Sequence, residues 1–338
     1  MNPALIFTLT LRFAALSMAA IALIFTLNNY LIFWQGWPGL AGLFTHFSWL
    51  GSQLLGDPLT TSDLSLGLIQ FGLYLGAVVT AASFLILRPE RTLTDDADLL
   101  AGSAAFIARA AFWMVLLVGI ADMAISFMRV EDLLSRVVGE HLSTQLGRPN
   151  YRGNYIHYPL IGIAVVIACF SRSLGFTWLA LLIVLAEFQI VLSRFIFSYE
   201  QAFMGDLVRF WYAALFLFAS AYTLIEEGHV RVDIIYAGMG KRLKAWSNTI
   251  GSLLLGVPLC WIIITSGMWD KTNLINAPLL SFEVTQSGYG LYVKYLMAGF
   301  LLVYALTMMM QFLGYTLRNV AVLVDDPEAH SVASAHAD

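Results

Sequence analysis

The residue types best suited to chemistry crowd into Glu226-Glu227-Gly228-His229-Val230-Arg231-Val232-Asp233. His229 and Asp233 are four positions apart and would share one face of a helix. With Glu226 or Glu227 beside them a divalent-metal site is conceivable, although one imidazole plus carboxylates is a weak ligand set. Two other readings use the same residues. The polar groups could satisfy the free backbone ends of two helices that meet at a membrane surface. Alternatively, His229, Arg231 or Asp233 could pair with another protein. Elsewhere the chain has no Gly-rich phosphate loop, no His-Glu-x-x-His and no nucleophile motif with a supporting base. Neither catalysis nor a cofactor is expected.

The elements around this stretch define its setting. Ahead of it runs an apolar segment, 207–225. After it Val232, Ile235 or Tyr236, Met239, Leu243 and Trp246 recur at helical spacing, with Lys241, Arg242 and Lys244 on the other side. That pattern predicts a helix lying along a membrane interface.

Composition gives the class. Of 338 residues, 59 % are hydrophobic and 12 % charged, against roughly 25 % charged in a soluble domain. Long uncharged runs predict an all-α integral membrane protein in contact with lipid. The net charge of −4 is small, and no basic cluster suggests nucleic acid. Cys169 and Cys260 lie in apolar runs and read as small buried hydrophobes rather than a disulfide or metal pair.

Eight spans are predicted, at about 4–27, 64–87, 105–128, 156–170, 174–193, 207–225, 250–268 and 291–317. The first is read as a span rather than a signal peptide, because only Arg12, well inside it, is basic. Residues 28–63 hold no Lys or Arg but several aromatics, which suits the outer headgroup layer. Residues 130–146 predict an amphipathic helix on the outer surface, and 149–154 a turn. With the basic segments 88–109 and 228–247 inside, both termini are cytoplasmic. Against that rule, the outer segment 129–157 holds Arg129, Arg136, Arg148 and Arg152. The region 270–290 is a polar connection with Pro278 and Gly288 as breakers, and the tail 321–338 is expected to be disordered.

A few charges fall inside or beside spans. Asp122 is either a proton or ion site or a carboxylate hydrogen-bonded between helices. Arg194 either snorkels to the headgroups or pairs with a carboxylate, Asp206 or one on a partner. Lys294 carries the same ambiguity. Use of Asp122 or Arg194 by a stand-alone secondary carrier is the main competing function. A haem-carrying anchor needs mid-helix histidines. His46, His141, His157, His229, His330 and His336 are all assigned to loops, helix ends or the tail, against that reading.

At Gly228-His229-Val230-Arg231-Val232-Asp233 the chain resembles the small membrane subunit of tripartite ATP-independent periplasmic (TRAP) transporters, the DctQ family. The likeness extends to Arg194-Phe195-Ile196-Phe197, similar to the family's Arg-Tyr-x-Phe, and to 213–224, similar to its second helix. Residues 251–258 and Leu291-Tyr292-Val293-Lys294-Tyr295 resemble its third helix and the start of its fourth. The text is closest to the mannitol/chloroaromatic or organic-acid subgroup. Gly205-Asp206 stands where the family usually has Glu, which keeps the acid.

The resemblance covers about 174–320 as a four-helix membrane domain and leaves 1–173 as a membrane extension. It implies a non-enzymatic subunit of the bacterial inner membrane, engaged in secondary active transport by sodium symport. Such a subunit braces a large DctM-like membrane subunit and works with a periplasmic substrate-binding protein to take up an organic acid. Arg194, Asp206, Glu227, Gly228, His229, Arg231, Asp233 and Lys294 would then be docking or structural positions. The extension would enlarge the brace, with 130–146 as a landing surface for the binding protein.

Overall fold

In a computed structural model the protein is described over residues 3–47, 59–172, 176–199, 201–225, 236, 238–285 and 290–324. Every regular element among them is helical. In chain order the helices are α1 (Pro3–Phe33), α2 (Gly39–His46), α3 (Thr61–Leu87), α4 (Leu93–Val130), α5 (Leu134–Val138), α6 (Glu140–Leu146), α7 (Pro149–Phe170), α8 (Phe176–Ile196), α9 (Ala202–Ile225), α10 (Lys241–Met268), α11 (Asn276–Ser281) and α12 (Lys294–Leu323). Eight of them, all but α2, α5, α6 and α11, are long and apolar enough to span a membrane. The predicted class and number of spans match this.

Local chemistry sets the ends. Thr60 caps α3, its hydroxyl accepting from the Asp63 amide at 3.3 Å. The helix stops at Leu87, ahead of the break imposed by Pro89. Thr92 and Asp95 then form a reciprocal cap: Asp95 N donates to the Thr92 hydroxyl at 3.2 Å, and Thr92 N donates to the Asp95 carboxylate at 2.9 Å. This cap starts α4 at Leu93, well ahead of the predicted residue 105, and draws Asp95, Asp96 and Asp98 into the helix.

Three further expectations are corrected. Residues 130–146 are not one helix: Val130 ends α4, and Gly139, with φ +83°, separates α5 from α6. Such a positive φ suits glycine because other residues place a Cβ against the backbone there. The predicted interfacial helix is also revised. Lys241 begins a helix that runs unbroken to Met268, so exposed Leu243 and Trp246 lie on the first turns of a span. Its continuity is kept through a π turn, Ser252–Gly256. The turn predicted at 149–154 is instead the start of α7, which passes through a π turn at Gly153–His157.

The chain forms two compact units. One comprises Met1–Ala101, Arg231–Cys260 and Met309–Asp338, the other Gly102–Val230 and Trp261–Met308. Each draws on sequence from both sides of residue 173.

In the first unit α1 and α3 pack together with α2 beside them. A buried polar chain joins all three: Gln70 donates to Asn28 at 2.7 Å and accepts from Gly39 N at 2.9 Å. Fully buried Asp96 accepts from Arg12 at 2.6 Å and from Arg91 at 2.9 Å. Arg318 on α12 reaches Asp98 at 2.6 Å. A Cβ on Gly314 would stand 3.2 Å from the Ala97 carbonyl, so α12 passes close to the first turns of α4.

The core of the second unit combines Phe112, Val115 and Val118 of α4 with Leu179 and Ile183 of α8, Phe210, Trp211 and Phe218 of α9, and Leu296 and Phe300 of α12. Phe210 and Phe218 pack on Phe300 with ring centroids 5.2 and 5.0 Å away. The Trp211 indole donates to the Val115 carbonyl at 3.3 Å. It lies so near α4 that a Cβ on Gly119 would stand 2.5 Å from its nitrogen. Tyr199 donates to Glu131 at 2.9 Å, which raises the phenol above its ordinary range. Gly119→Ala should therefore destabilise the protein by about 1–3 kcal/mol. Gly102→Ala, with nothing within 4 Å of the new Cβ, should be neutral or slightly stabilising. Thermal unfolding of the two variants in detergent compares them directly.

Candidate functional site

Glu226, Glu227, Gly228, His229, Arg231 and Asp233 lie outside the described residues. Just beyond them, Tyr236 is tied to the helices of its unit. Asn248 on α10 donates to the Tyr236 hydroxyl at 2.9 Å and to Asn319 on α12 at 3.1 Å. Lys244 lies over the Tyr236 ring, 5.1 Å from its centroid.

The other sequence candidates fall in separate places. Arg194 is exposed in the last turn of α8. Asp206 is buried near the start of α9, where it accepts from the Leu291 amide at 3.2 Å and the Thr285 hydroxyl at 3.1 Å, with Arg209 at 3.5 Å. It thus fixes the start of α9 to the segment that leads into α12. Lys294 meets Glu283 at 2.6 Å, with both side chains nearly half exposed. A surface pair of this kind contributes at most about 1 kcal/mol. Cys260 is buried as expected, whereas Cys169 is exposed on α7 because its helix position faces away from the bundle.

The densest polar assembly lies around Asp122 instead. Arg152 donates to Asp122 Oδ1 at 2.8 Å, and His157 Nε2 lies 3.1 Å from the same oxygen. The Tyr292 amide donates to Oδ2 at 2.7 Å. Asp122, Arg152, His157 and Ser126 are all fully buried. Arg152 also donates to the Leu146 carbonyl at 3.0 Å and the Ser126 hydroxyl at 3.1 Å. Its guanidinium lies 4.1 Å from the centre of the Tyr292 ring, a favourable seat for a desolvated cation. The Tyr292 hydroxyl donates to the Gly147 carbonyl at 2.9 Å and accepts from Arg129.

Each element reaches this point for a physical reason. The π turn at Gly153–His157 offsets α7 just where Gly153 lies under the Phe282 ring, which a Cβ would approach to 2.2 Å. The same turn directs His157 inward, its ring 5.9 Å from that of Tyr295 and nearly parallel to it. Since ionised Asp122 can only accept, Nε2 of His157 is the protonated nitrogen, and Nδ1 faces the Tyr295 hydroxyl at 2.9 Å. His157 is therefore an interior residue of a continuous helix, not a helix-end residue as the sequence suggested.

This arrangement suits fastening better than transport. Both carboxylate oxygens are engaged, the counter-charge is in direct contact, and Asp122, Ser126, Arg152 and His157 are closed to solvent. An ion or substrate would have to break the pair to bind. What the network joins is α4 and α7 to residues 292–295 at the start of α12. Sequence reasoning found Asp122 but missed Arg152 and His157. The one available signal was Arg152 in a segment assigned to the outer surface, where the positive-inside rule disfavours it. Among the described residues, no group of three or more His, Cys, Asp and Glu side chains could hold a metal.

The pair can be tested by substitution. Arg152→Leu would leave Asp122 buried without its cation, and should cost about 3–5 kcal/mol. Changing both members, Asp122→Leu with Arg152→Leu, should cost less than Arg152→Leu alone. Strictly additive effects in fluorescence-detected unfolding would show that the two side chains are not coupled.

Comparison with known proteins finds a similarity over less than half of the chain. Residues 181–322 match the family model described as tripartite ATP-independent periplasmic transporters, DctQ component. No curated protein and no solved structure matches the chain. The matched segment takes in most of α8 and all of α9, α10 and α11, and almost all of α12. Residues 181–322 are thus similar to the DctQ component of such transporters.

Proposed function

We propose that the chain is the small membrane subunit of a sodium-coupled TRAP transporter of the bacterial inner membrane, bracing the large transport subunit and helping the periplasmic binding protein to dock. The observation that carries this reading is the DctQ match over residues 181–322. DctQ components work with DctM and DctP components, so a large membrane subunit and a soluble binding protein are the partners sought. The organic-acid subgroup resembled by the sequence suggests uptake of a small organic acid.

In this reading residues 1–173 are an extension that enlarges the brace. Its helices α4 and α7 share the second unit's core with α8, α9 and α12, which supports a mechanical role. Both termini lie in the cytoplasm. Asp122 and its partners then sit toward the outer side, and α5 and α6 offer the landing surface for the binding protein. Glu227, Gly228, His229, Arg231 and Asp233 dock on the large subunit, with Arg194, Asp206 and Lys294 keeping the adjoining helices in place. The saturated Asp122 carboxylate gives no support to a stand-alone carrier.

The test is co-purification in mild detergent followed by uptake into vesicles under a sodium gradient. A stoichiometric, multi-span partner should co-elute, and uptake should need this chain, that partner and the binding protein together. The double variant Arg231→Ala/Asp233→Ala should lower both the yield of the complex and uptake. Normal yield and uptake would reject docking through the motif, and solute movement by this chain alone would reject the accessory role.

A further inference from the structure

Between Asp98 and Asp122, helix α4 carries one charge, Arg109. Arg109 lies 11 residues after Asp98 and 13 before Asp122, about 16 Å and about 20 Å along a helix rising roughly 1.5 Å per residue. It is therefore near the centre of residues 99–121, which hold no other charged side chain. Arginine cannot shed its charge by losing a proton, and a cation at that depth requires an acceptor. Among the described residues it has none: Arg109 makes no hydrogen bond or ion pair, and its Nε is buried without a partner. One turn on, the Trp113 indole N–H is also buried without an acceptor.

These two donors lie on a particular face. Ala104, Ala108, Val115 and Val118 point into the core and are buried. Gly102, Phe106, Arg109, Trp113 and Ile120 follow each other at three- or four-residue steps, with one longer step after Trp113, along the half-buried and exposed side of the helix. The stripe contains no acid. A lone cation on this half-buried face calls for an anionic acceptor at the same depth on another membrane-embedded chain.

We infer that the half-buried face of α4 around Arg109 is a subunit interface, in which Arg109 pairs with a carboxylate on a transmembrane helix of the large membrane subunit. The inference rests on the accessory-subunit reading, which supplies the partner. It places an interface on the N-terminal extension, outside the DctQ-matching segment. A phospholipid headgroup is the less suitable acceptor, because the phosphate layer is far from either approach to Arg109. A second copy of this chain offers one acid, Glu187, exposed in mid-α8 and likewise without an ion pair among the described residues. Self-association through Glu187 is separated from this interface by the Glu187→Gln variant.

The experiment is purification of the complex from membranes containing the full-length chain as wild type, Arg109→Leu, Arg109→Lys or Glu187→Gln. For each, the co-purified large subunit, the bound phospholipid and the melting temperature of this chain alone are measured. Arg109→Leu should reduce the large subunit recovered by about tenfold or more, the loss of a buried charge pair at an interface. Arg109→Lys should keep most of it. The isolated Arg109→Leu chain should melt no lower than wild type, since it loses an unpaired charge; a residue that only holds this chain together would lower it. Unchanged recovery with Arg109→Leu overturns the inference while leaving the accessory role intact. So does loss of bound phospholipid alone, or loss of self-association that Glu187→Gln reproduces. If the wild type brings down no large subunit, the accessory reading fails and this interface fails with it.

Discussion

A carboxylate buried in a lipid-embedded bundle must be neutralised and hydrogen-bonded where it stands, and Asp122 imposes that condition on much of its unit. Insertion of an acid at mid-helix costs about 2.5–3.5 kcal/mol before compensation. Here it is met by a guanidinium at 2.8 Å, an imidazole at 3.1 Å and a backbone amide at 2.7 Å. Those donors come from α7 and from the turn leading into α12. Because each must be in position at once, the depth of α7, the π turn at Gly153 and the entry of α12 are set together. Buried ion pairs add little net stability compared with apolar packing. Their directionality, however, disfavours alternative registers of helices that are otherwise greasy on all sides.

That constraint gives the N-terminal extension a physical meaning. Asp122, Arg152 and His157 precede the DctQ-matching segment, whereas Tyr292 and Tyr295 fall inside it. Trp211, also in the matched segment, donates to α4 in the extension. The second unit is therefore one folded body made from both parts of the chain rather than a four-helix domain with an appendage.

The sequence made some of this legible and hid the rest for identifiable reasons. Hydropathy revealed the spans, since a membrane helix needs a long apolar run whatever its neighbours. It missed the start of α4, where the Thr92–Asp95 cap extends the helix through three acids that composition assigns to a loop. It also joined α5 and α6, because the apolar spacing continues across Gly139 while the backbone does not. Asp122 stood out as a charge in an apolar run. Its partners did not, since Arg152 and His157 lie 30 and 35 residues away, and the chain reverses between them. Arg152 looked like an outer loop charge only because a buried cation and a solvated one read alike in sequence. The Gly228–Asp233 text carried the resemblance to the DctQ family, although those residues lie outside the described structure.

The most direct measurement of this account is cleavage of the full-length protein at a protease site inserted between residues 173 and 174, followed by gel filtration in mild detergent. If the extension and the DctQ-like segment form one body, the two pieces should stay together after complete cleavage. Spontaneous separation of the wild-type pieces into two stable, independently folded proteins would contradict the account.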